Sequence, residues 1–114
     1  MVTFNLHSRE QAEPFAFELG RLSALVADME AIQRGVPPEC QTKETAPILD
    51  RWVIAQRPIA CLMGLSSGHP LLPGVNRVIT TSDLWLLSDD RTWARTLSRW
   101  YRLGRPAGPS DDHA

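Results

Sequence analysis

An interleaved run of arginine and aromatic residues, at positions 91–105, is the part of this sequence best suited to binding another molecule. The run contains no aspartate or glutamate. Guanidinium groups bind carboxylates or phosphates through two parallel hydrogen bonds, while aromatic rings stack on bases or fill pockets on a partner. The candidate binding residues are Arg91, Arg95, Arg99, Trp100, Tyr101 and Arg102.

This arginine and aromatic segment is open to three interpretations. A protein partner fits because Trp, Tyr and Arg are enriched at the energetic centres of interfaces. Single-stranded nucleic acid fits because bases stack on aromatic rings while arginines neutralise phosphates. In a purely structural interpretation the rings fill a core and the arginines pair with acidic residues of the first helix, namely Glu13, Glu18, Asp28 and Glu30. We expect a protein-binding module first, with a nucleic-acid-binding protein as the alternative.

The histidine of Gly68-His69-Pro70 is the candidate for catalysis. Imidazole titrates near neutral pH and suits a general base or a ligand, and Cys61 and Asp83 are conceivable partners. In the alternative, His69 forms hydrogen bonds within its own turn and fixes a hairpin. The sequence has no phosphate loop, no His-Glu-x-x-His and no nucleophile elbow. It therefore predicts no enzyme and no cofactor, and an enzyme built on His69 is only a third hypothesis.

Two smaller groups of residues are further candidate sites. Thr80, Thr81 and Ser82 have hydroxyls that can bind an anion, although such a run is more typical of a strand whose hydroxyls face solvent or complete its edge. Cys40 and Cys61 are the only cysteines, and their separation fits no zinc pattern. We expect two free thiols in a reducing cytosol and no metal site.

Composition sets the scale of the protein. The chain has 114 residues, is 43% apolar and carries a net charge of −1, so one small domain is expected and a global attraction to nucleic acid or lipid is not. The charge is uneven, because residues 1–50 are acidic and residues 51–114 are basic. The sequence contains no apolar run long enough for a membrane span and no signal-peptide pattern at Met1–Leu6. We expect a cytoplasmic protein.

Apolar periodicity predicts two helices. The first runs from about Arg9 to Arg34, with Ser8 as its N-cap, or begins at Glu13 with a proline in its first turn. Gly35 marks its end. Its apolar stripe, which we expect to face a core or a dimer seam, consists of Leu19, Leu22, Leu25, Val26, Met29 and Ile32. The second helix is predicted over Ala46–Gln56 with Thr45 as N-cap, following a loop at Pro37–Thr42.

The second half of the chain is rich in β-prone residues. Strands are predicted at Ile59–Leu65 and Arg77–Leu87, and Trp52 and Trp85 are expected in the core. The segment 91–104 is ambiguous, because its periodicity favours a helix while its threonines and aromatic residues suit a strand.

Four short motifs resemble a module found in small bacterial and phage-encoded proteins of unknown function. They are Gly68-His69-Pro70, Ile79-Thr80-Thr81-Ser82, Ala94-Arg95-Thr96 and Tyr101-Arg102-Leu103-Gly104. The resemblance covers about residues 59–104 and brings no assigned activity. It implies that 92–103 is a strand, since relatives carry polar, β-prone residues at positions 97–100.

These observations predict an α+β fold in a single domain, residues 1–104, with a helical part at about 8–57 and a β part at about 58–104. A long N-terminal helix and a short second helix are expected to pack on one face of a three-stranded antiparallel β-meander. Three strands backed by a helix are about the minimum for independent stability. Residues 105–114 are expected to form a disordered tail.

Overall fold

A computed structural model of the chain describes residues 1–42 and 46–108. It is an α+β fold that divides into two compact units. One unit joins Met1–Gln11 to Pro58–Ala114 and holds all the strands described, while the other, Ala12–Arg57, holds the helices. The predicted tail lies outside the described residues from position 109 onward.

The helical unit contains α1 (Glu13–Gln33) and α2 (Pro38–Gln41). α1 begins at Glu13, the second of the two predicted starts, with a proline in its first turn. Ser8 does not cap it, because the Ser8 hydroxyl accepts a hydrogen bond from the Glu10 N–H instead. The predicted end is confirmed, since Gly35 follows the last helical turn with φ of 82°.

The end of α1 is a Schellman motif. The Val36 N–H donates to the Ala31 carbonyl and the Gly35 N–H donates to the Ile32 carbonyl, at 3.0 and 2.9 Å. The motif requires a left-handed backbone at its glycine, which side chains with a Cβ disfavour.

Gly35→Ala is therefore expected to destabilise the helical unit by about 1 kcal/mol. Gly20→Ala is the matched control, because Gly20 lies inside α1 and an added Cβ meets no atom within 4 Å. That variant is expected to stabilise by about 0.5–1 kcal/mol. Thermal unfolding followed by circular dichroism at the helix band measures both, and equal effects of the two substitutions would contradict the assignment.

A second short helix is present, but it lies outside the segment in which the periodicity predicts one. α2 covers four residues within the predicted loop, whereas residues 46–57 contain no helix. Arg51 has a left-handed backbone, with φ of 50°, which interrupts helical geometry. Trp52 is 66% exposed and is not a core residue. The predicted N-cap Thr45 lies outside the described residues.

The apolar stripe of α1 is mostly exposed among the described residues. Only Ala31 is buried on α1, and Leu22 is half-buried. The other stripe residues, Leu19, Leu25, Val26, Met29 and Ile32, are exposed. No helix in the described part of the chain is long and apolar enough to cross a membrane.

The β unit contains two sheets. Its six strands are β1 (Val2–Phe4), β2 (Met63–Ser66), β3 (Arg77–Thr80), β4 (Leu84–Ser88), β5 (Trp93–Thr96) and β6 (Trp100–Arg102). The first sheet has the order β1-β4-β5-β6, with β1 parallel to β4 and the other pairs antiparallel. The second sheet is the antiparallel pair β2–β3.

The predicted three-stranded meander is therefore wrong in detail. The strand predicted at 77–87 is interrupted after Thr80 and becomes β3 and β4, because Thr81 and Ser82 turn the chain with their own hydroxyl bonds. The segment 92–103 is β-structure, as the resemblance implied, but it forms the β5–β6 hairpin rather than one strand. β1 was not predicted.

The core of the β unit is small. Leu84, Leu87 and Ala94 are buried together, and Leu62 and Leu103 pack against them. Trp85 is half-buried. Two hydroxyl residues, Ser88 and Thr96, are fully buried at the turns that connect β4, β5 and β6. Their side chains bond main-chain groups of the turns, so buried polar atoms define where the hairpins reverse.

Candidate functional site

The register of the β5–β6 hairpin places arginine and tryptophan on one face. Trp93 lies opposite Arg102, and Arg95 lies opposite Trp100. Paired residues of antiparallel strands project to the same side, so the four side chains share a surface. The Trp100 ring packs edge-on against Trp93 at 6.1 Å and against Phe4 of β1 at 5.8 Å between ring centroids.

A groove of 530 Å³ runs between β2 and β6. All residues of both strands line it, whereas β3 and β5 contribute one residue each, Ile79 and Trp93. Four of the predicted binding residues, Arg99, Trp100, Tyr101 and Arg102, lie along one wall, and His69 also lines the groove. The structure thus brings together five of the seven candidate residues.

The other two candidates do not line the groove. Arg91 is exposed in the turn between β4 and β5, with a left-handed backbone. Arg95 is half-buried on β5. We therefore restrict the candidate site to the groove and name it the β2–β6 groove, with its arginine and aromatic wall at residues 99–102.

The β2–β6 groove is positively charged. Arg99 and Arg102 line it, and no aspartate or glutamate among residues 1–42 and 46–108 does so. Within the same residues one ion pair is found, between Arg21 and Glu18 of α1. The two groove arginines therefore have no carboxylate partner in the described chain and keep their hydrogen-bonding capacity for a ligand.

His69 bonds to its own turn. Its Nδ1 accepts hydrogen bonds from the Leu71 and Leu72 N–H groups at 3.0 and 3.1 Å, which requires an unprotonated Nδ1. The ring also lies 6.1 Å from the Tyr101 ring between centroids. Desolvation in this half-buried position, followed by the nearby Arg99 charge, lowers the pKa of His69 below its usual value of 6.5.

Because the pKa of His69 is lowered, the stability of the folded protein is expected to decrease at acidic pH, and a pH titration can test this. As the pH falls, His69 takes up a proton near pH 6.5 in the unfolded chain but only at a lower pH in the folded chain. The stability that this turn contributes is therefore complete above pH 6.5 and is lost as the pH falls from there toward the pKa of the folded state. His69→Asn keeps an acceptor at the same position without a titrating group. We expect the loss of melting temperature between about pH 7.5 and about pH 5.5 to be smaller in this variant. An unchanged pH profile would contradict the assignment.

The remaining sequence candidates serve the fold. The Thr81 hydroxyl accepts from the Leu62 N–H and donates to the Ser82 carbonyl, and the Ser82 hydroxyl bonds Ser98. Neither Cys61 nor Asp83 lines the groove beside His69. Cys61 and Cys40 are exposed free thiols. The described residues contain no group of three or more metal-ligating side chains.

Sequence reasoning missed two parts of the site. β2 supplies the second wall, but its side chains read only as a buried strand, and two of them, Met63 and Leu65, are exposed. Phe4 supports Trp100 from β1, a strand of three residues that is too short to show a periodic pattern. No signal in the sequence placed either of them beside residues 99–102.

Comparison with known proteins gives a family but no activity. No curated protein and no solved structure matches the chain. A family model described as a family of unknown function, DUF6634, matches residues 22–111. This range contains most of α1, both walls of the groove and all the candidate site residues. The chain therefore belongs to the DUF6634 family.

Proposed function

We propose that this chain is a non-enzymatic interaction module that binds a protein partner in the β2–β6 groove. The observation that carries the proposal is the composition of the groove wall at residues 99–102. Two arginines that have no carboxylate partner among the described residues flank Trp100 and Tyr101, and Trp100 is 48% exposed although it is a large apolar residue. Arginine and tryptophan concentrated in one groove are typical of the energetic centre of a protein interface.

The ring geometry favours protein over nucleic acid as the ligand. Binding of single strands uses open ring faces on which successive bases stack. Here the Trp93 and Trp100 rings are perpendicular to each other, at 88°, and Trp100 is also edge-on to Phe4. These mutual contacts occupy parts of the rings that stacking would need. Nucleic acid remains the alternative ligand of the same arginines.

Capture experiments with matched tryptophan variants test the proposal. The wild-type protein and Trp52→Ala, which removes an exposed tryptophan outside the groove, are expected to retain the same partner from a cell extract. Trp100→Ala and Arg99→Ala are expected to lose it, with circular dichroism confirming that each variant is folded. Retention of every captured protein by both groove variants would contradict the proposal.

The nucleic-acid alternative has its own measurement. Fluorescence anisotropy with short single-stranded and duplex oligonucleotides at two salt concentrations detects it directly. A single-stranded ligand would show a log–log salt slope of roughly −0.7 for each phosphate contacted. Such binding, lost in Arg102→Ala, would replace the protein-binding proposal.

The proposal extends to where the protein acts. A cytoplasmic location agrees with two exposed cysteines that are not paired with each other. No titratable side chain of the residues that the structure describes forms a hydrogen bond with His69, and the imidazole Nδ1 accepts hydrogen bonds from its own turn. These contacts support an interaction role rather than the His69-based enzyme.

A further inference from the structure

The groove side of β6 is an unpaired strand edge. The Leu103 N–H donates to the Thr92 carbonyl and the Thr96 N–H donates to the Arg99 carbonyl, at 2.8 and 2.9 Å. Hydrogen-bonded and non-hydrogen-bonded pairs alternate along an antiparallel ladder. The intervening residues Trp100 and Arg102 therefore turn their main-chain N–H and C=O groups away from β5. Within the described residues no strand pairs with this edge.

β2 presents a second unpaired edge to the same groove. The Thr81 N–H donates to the Leu62 carbonyl at 2.8 Å, which makes Met63 and Leu65 the non-hydrogen-bonded positions of the β2–β3 ladder. Their main-chain groups point away from β3, and their side chains are 74% and 65% exposed. In the described part of the chain, this edge also has no partner strand.

Two open edges beside one groove suit an extended chain, because main-chain hydrogen bonds to a sheet edge give affinity for a strand whatever its sequence. We infer, building on the proposed function, that the partner enters the groove as an extended acidic peptide segment that adds to β6 as a further strand. The groove arginines, which form no ion pair within the described part of the chain, select the acidic character. A groove lined by arginines, and by no carboxylate of residues 1–42 and 46–108, repels a basic segment.

The register of β6 fixes where the acidic residues lie. Side chains alternate between the two sides of a strand, so Trp100 and Arg102 project to one side, and Arg99 and Tyr101 project to the other, where His69 lies. A segment paired with β6 turns adjacent side chains to opposite sides in the same way. Two consecutive acidic residues therefore contact Arg102 on one side of the sheet and Arg99 on the other.

A peptide array tests this inference on the full chain. The probes are fluorescein-labelled octapeptides of Ser, Thr, Val and Tyr around a central Glu-Glu pair, measured by fluorescence anisotropy. Replacement of Glu-Glu by Gln-Gln is expected to weaken binding roughly 10-fold. N-methylation is expected to abolish binding at alternate positions, where an N–H pairs with the edge, and to have little effect at the positions between them.

Substitutions in β6 distinguish the contribution of main-chain hydrogen bonding to peptide binding from the contribution of charge. Arg102→Pro removes an N–H that points into the groove and leaves the ladder to β5 intact, as proline is tolerated on edge strands, so it is expected to eliminate peptide binding. Arg102→Gln removes only the charge and is expected to weaken binding about 3-fold. Arg91→Gln, outside the groove, is the matched control and is expected to have no effect. If Arg102→Pro does not fold, the N-methylated peptides carry the same test.

The outcomes distinguish this inference from the function on which it rests. Equal binding of Glu-Glu and Gln-Gln peptides, sensitivity to N-methylation without alternation, or no binding across the array would overturn strand addition. If Trp100→Ala nevertheless loses a captured partner, the protein-binding proposal stands and only the strand-addition inference fails. If Trp100→Ala keeps all captured proteins, the proposed function fails.

Discussion

Replacing Ser88 with alanine is expected to lower the free energy of unfolding by roughly 2–3 kcal/mol. Ser88 is 0% exposed, and its hydroxyl accepts hydrogen bonds from the Thr92 and Trp93 N–H groups at 3.0 and 2.9 Å. The same hydroxyl donates to the Asp90 carboxylate at 2.8 Å. Alanine leaves the Trp93 N–H without an acceptor at the point where β5 begins. Urea denaturation of the full chain measures the loss.

Asp90→Asn is the control for this turn. An asparagine oxygen still accepts from the Thr92 hydroxyl and N–H, the groups that bond Asp90 at 2.6 and 3.1 Å. Hydrogen bonds from Thr92 and then Ser88 hold the pKa of Asp90 below its usual value, so its charged form adds stability that is lost only as the pH falls below about 4. A smaller loss than in Ser88→Ala is expected at neutral pH, and equal losses would show that the turn depends on charge rather than on the hydroxyl.

Reversing the charge of Arg102 is expected to weaken binding of the Glu-Glu peptide about 10-fold, because a like charge then faces the acidic residue. The side chain is exposed at the sheet edge, so the fold tolerates the change. Arg102→Glu is also expected to bind a matching peptide with a central Lys-Lys pair more tightly than the wild-type protein does. Fluorescence anisotropy of the four protein and peptide combinations measures the exchange of specificity.

Arg105→Glu is the control for that exchange. Arg105 is exposed and follows β6, but it does not line the groove, so its reversal alters the net charge equally without a local contact. Only a small change that disappears with added salt is expected. A loss equal to that in Arg102→Glu would mean that the peptide responds to the general field of the basic half rather than to one groove.

The first helix and its end were predictable because their signals are local. A stripe at helical spacing, a proline in the first turn and a glycine after the last turn act within a few residues of one another. The second predicted helix shows the limit of the same reasoning. Four apolar residues recur there at helical spacing but remain exposed, namely Ile48, Leu49, Trp52 and Val53. Their exposure means that burial does not compensate for the left-handed backbone of Arg51.

The sequence indicated which types of residue form the site, but not how those residues are arranged in space. Arginine and aromatic residues at 99–102 were identified from their types alone, whereas Arg95 and Arg91, of equal chemical promise, lie outside the groove. The difference arises from the position of each residue in the sheet, because β6 is the edge strand beside the groove whereas Arg95 lies on the inner strand β5 and Arg91 lies in the turn before it. Periodicity at 91–104 favoured a helix because four arginines recur at near-helical spacing. The segment forms a hairpin instead, because the buried hydroxyls of Ser88 and Thr96 accept hydrogen bonds from main-chain N–H groups at its turns.

The parallel pairing of β1 with β4 also determines when this sheet can form during synthesis on the ribosome. Leu6 and Asp89, joined by a hydrogen bond beside this pair, are 83 positions apart, so β1 is synthesised well before the strand with which it pairs. At about 5–20 residues per second, Val2–Phe4 waits for roughly 4–17 s before β4 has been translated. Throughout that interval Phe4 lacks the ring contact that it makes with Trp100 in the folded protein. Its contact with Trp100 is thus completed only after nearly all of the β unit has been made.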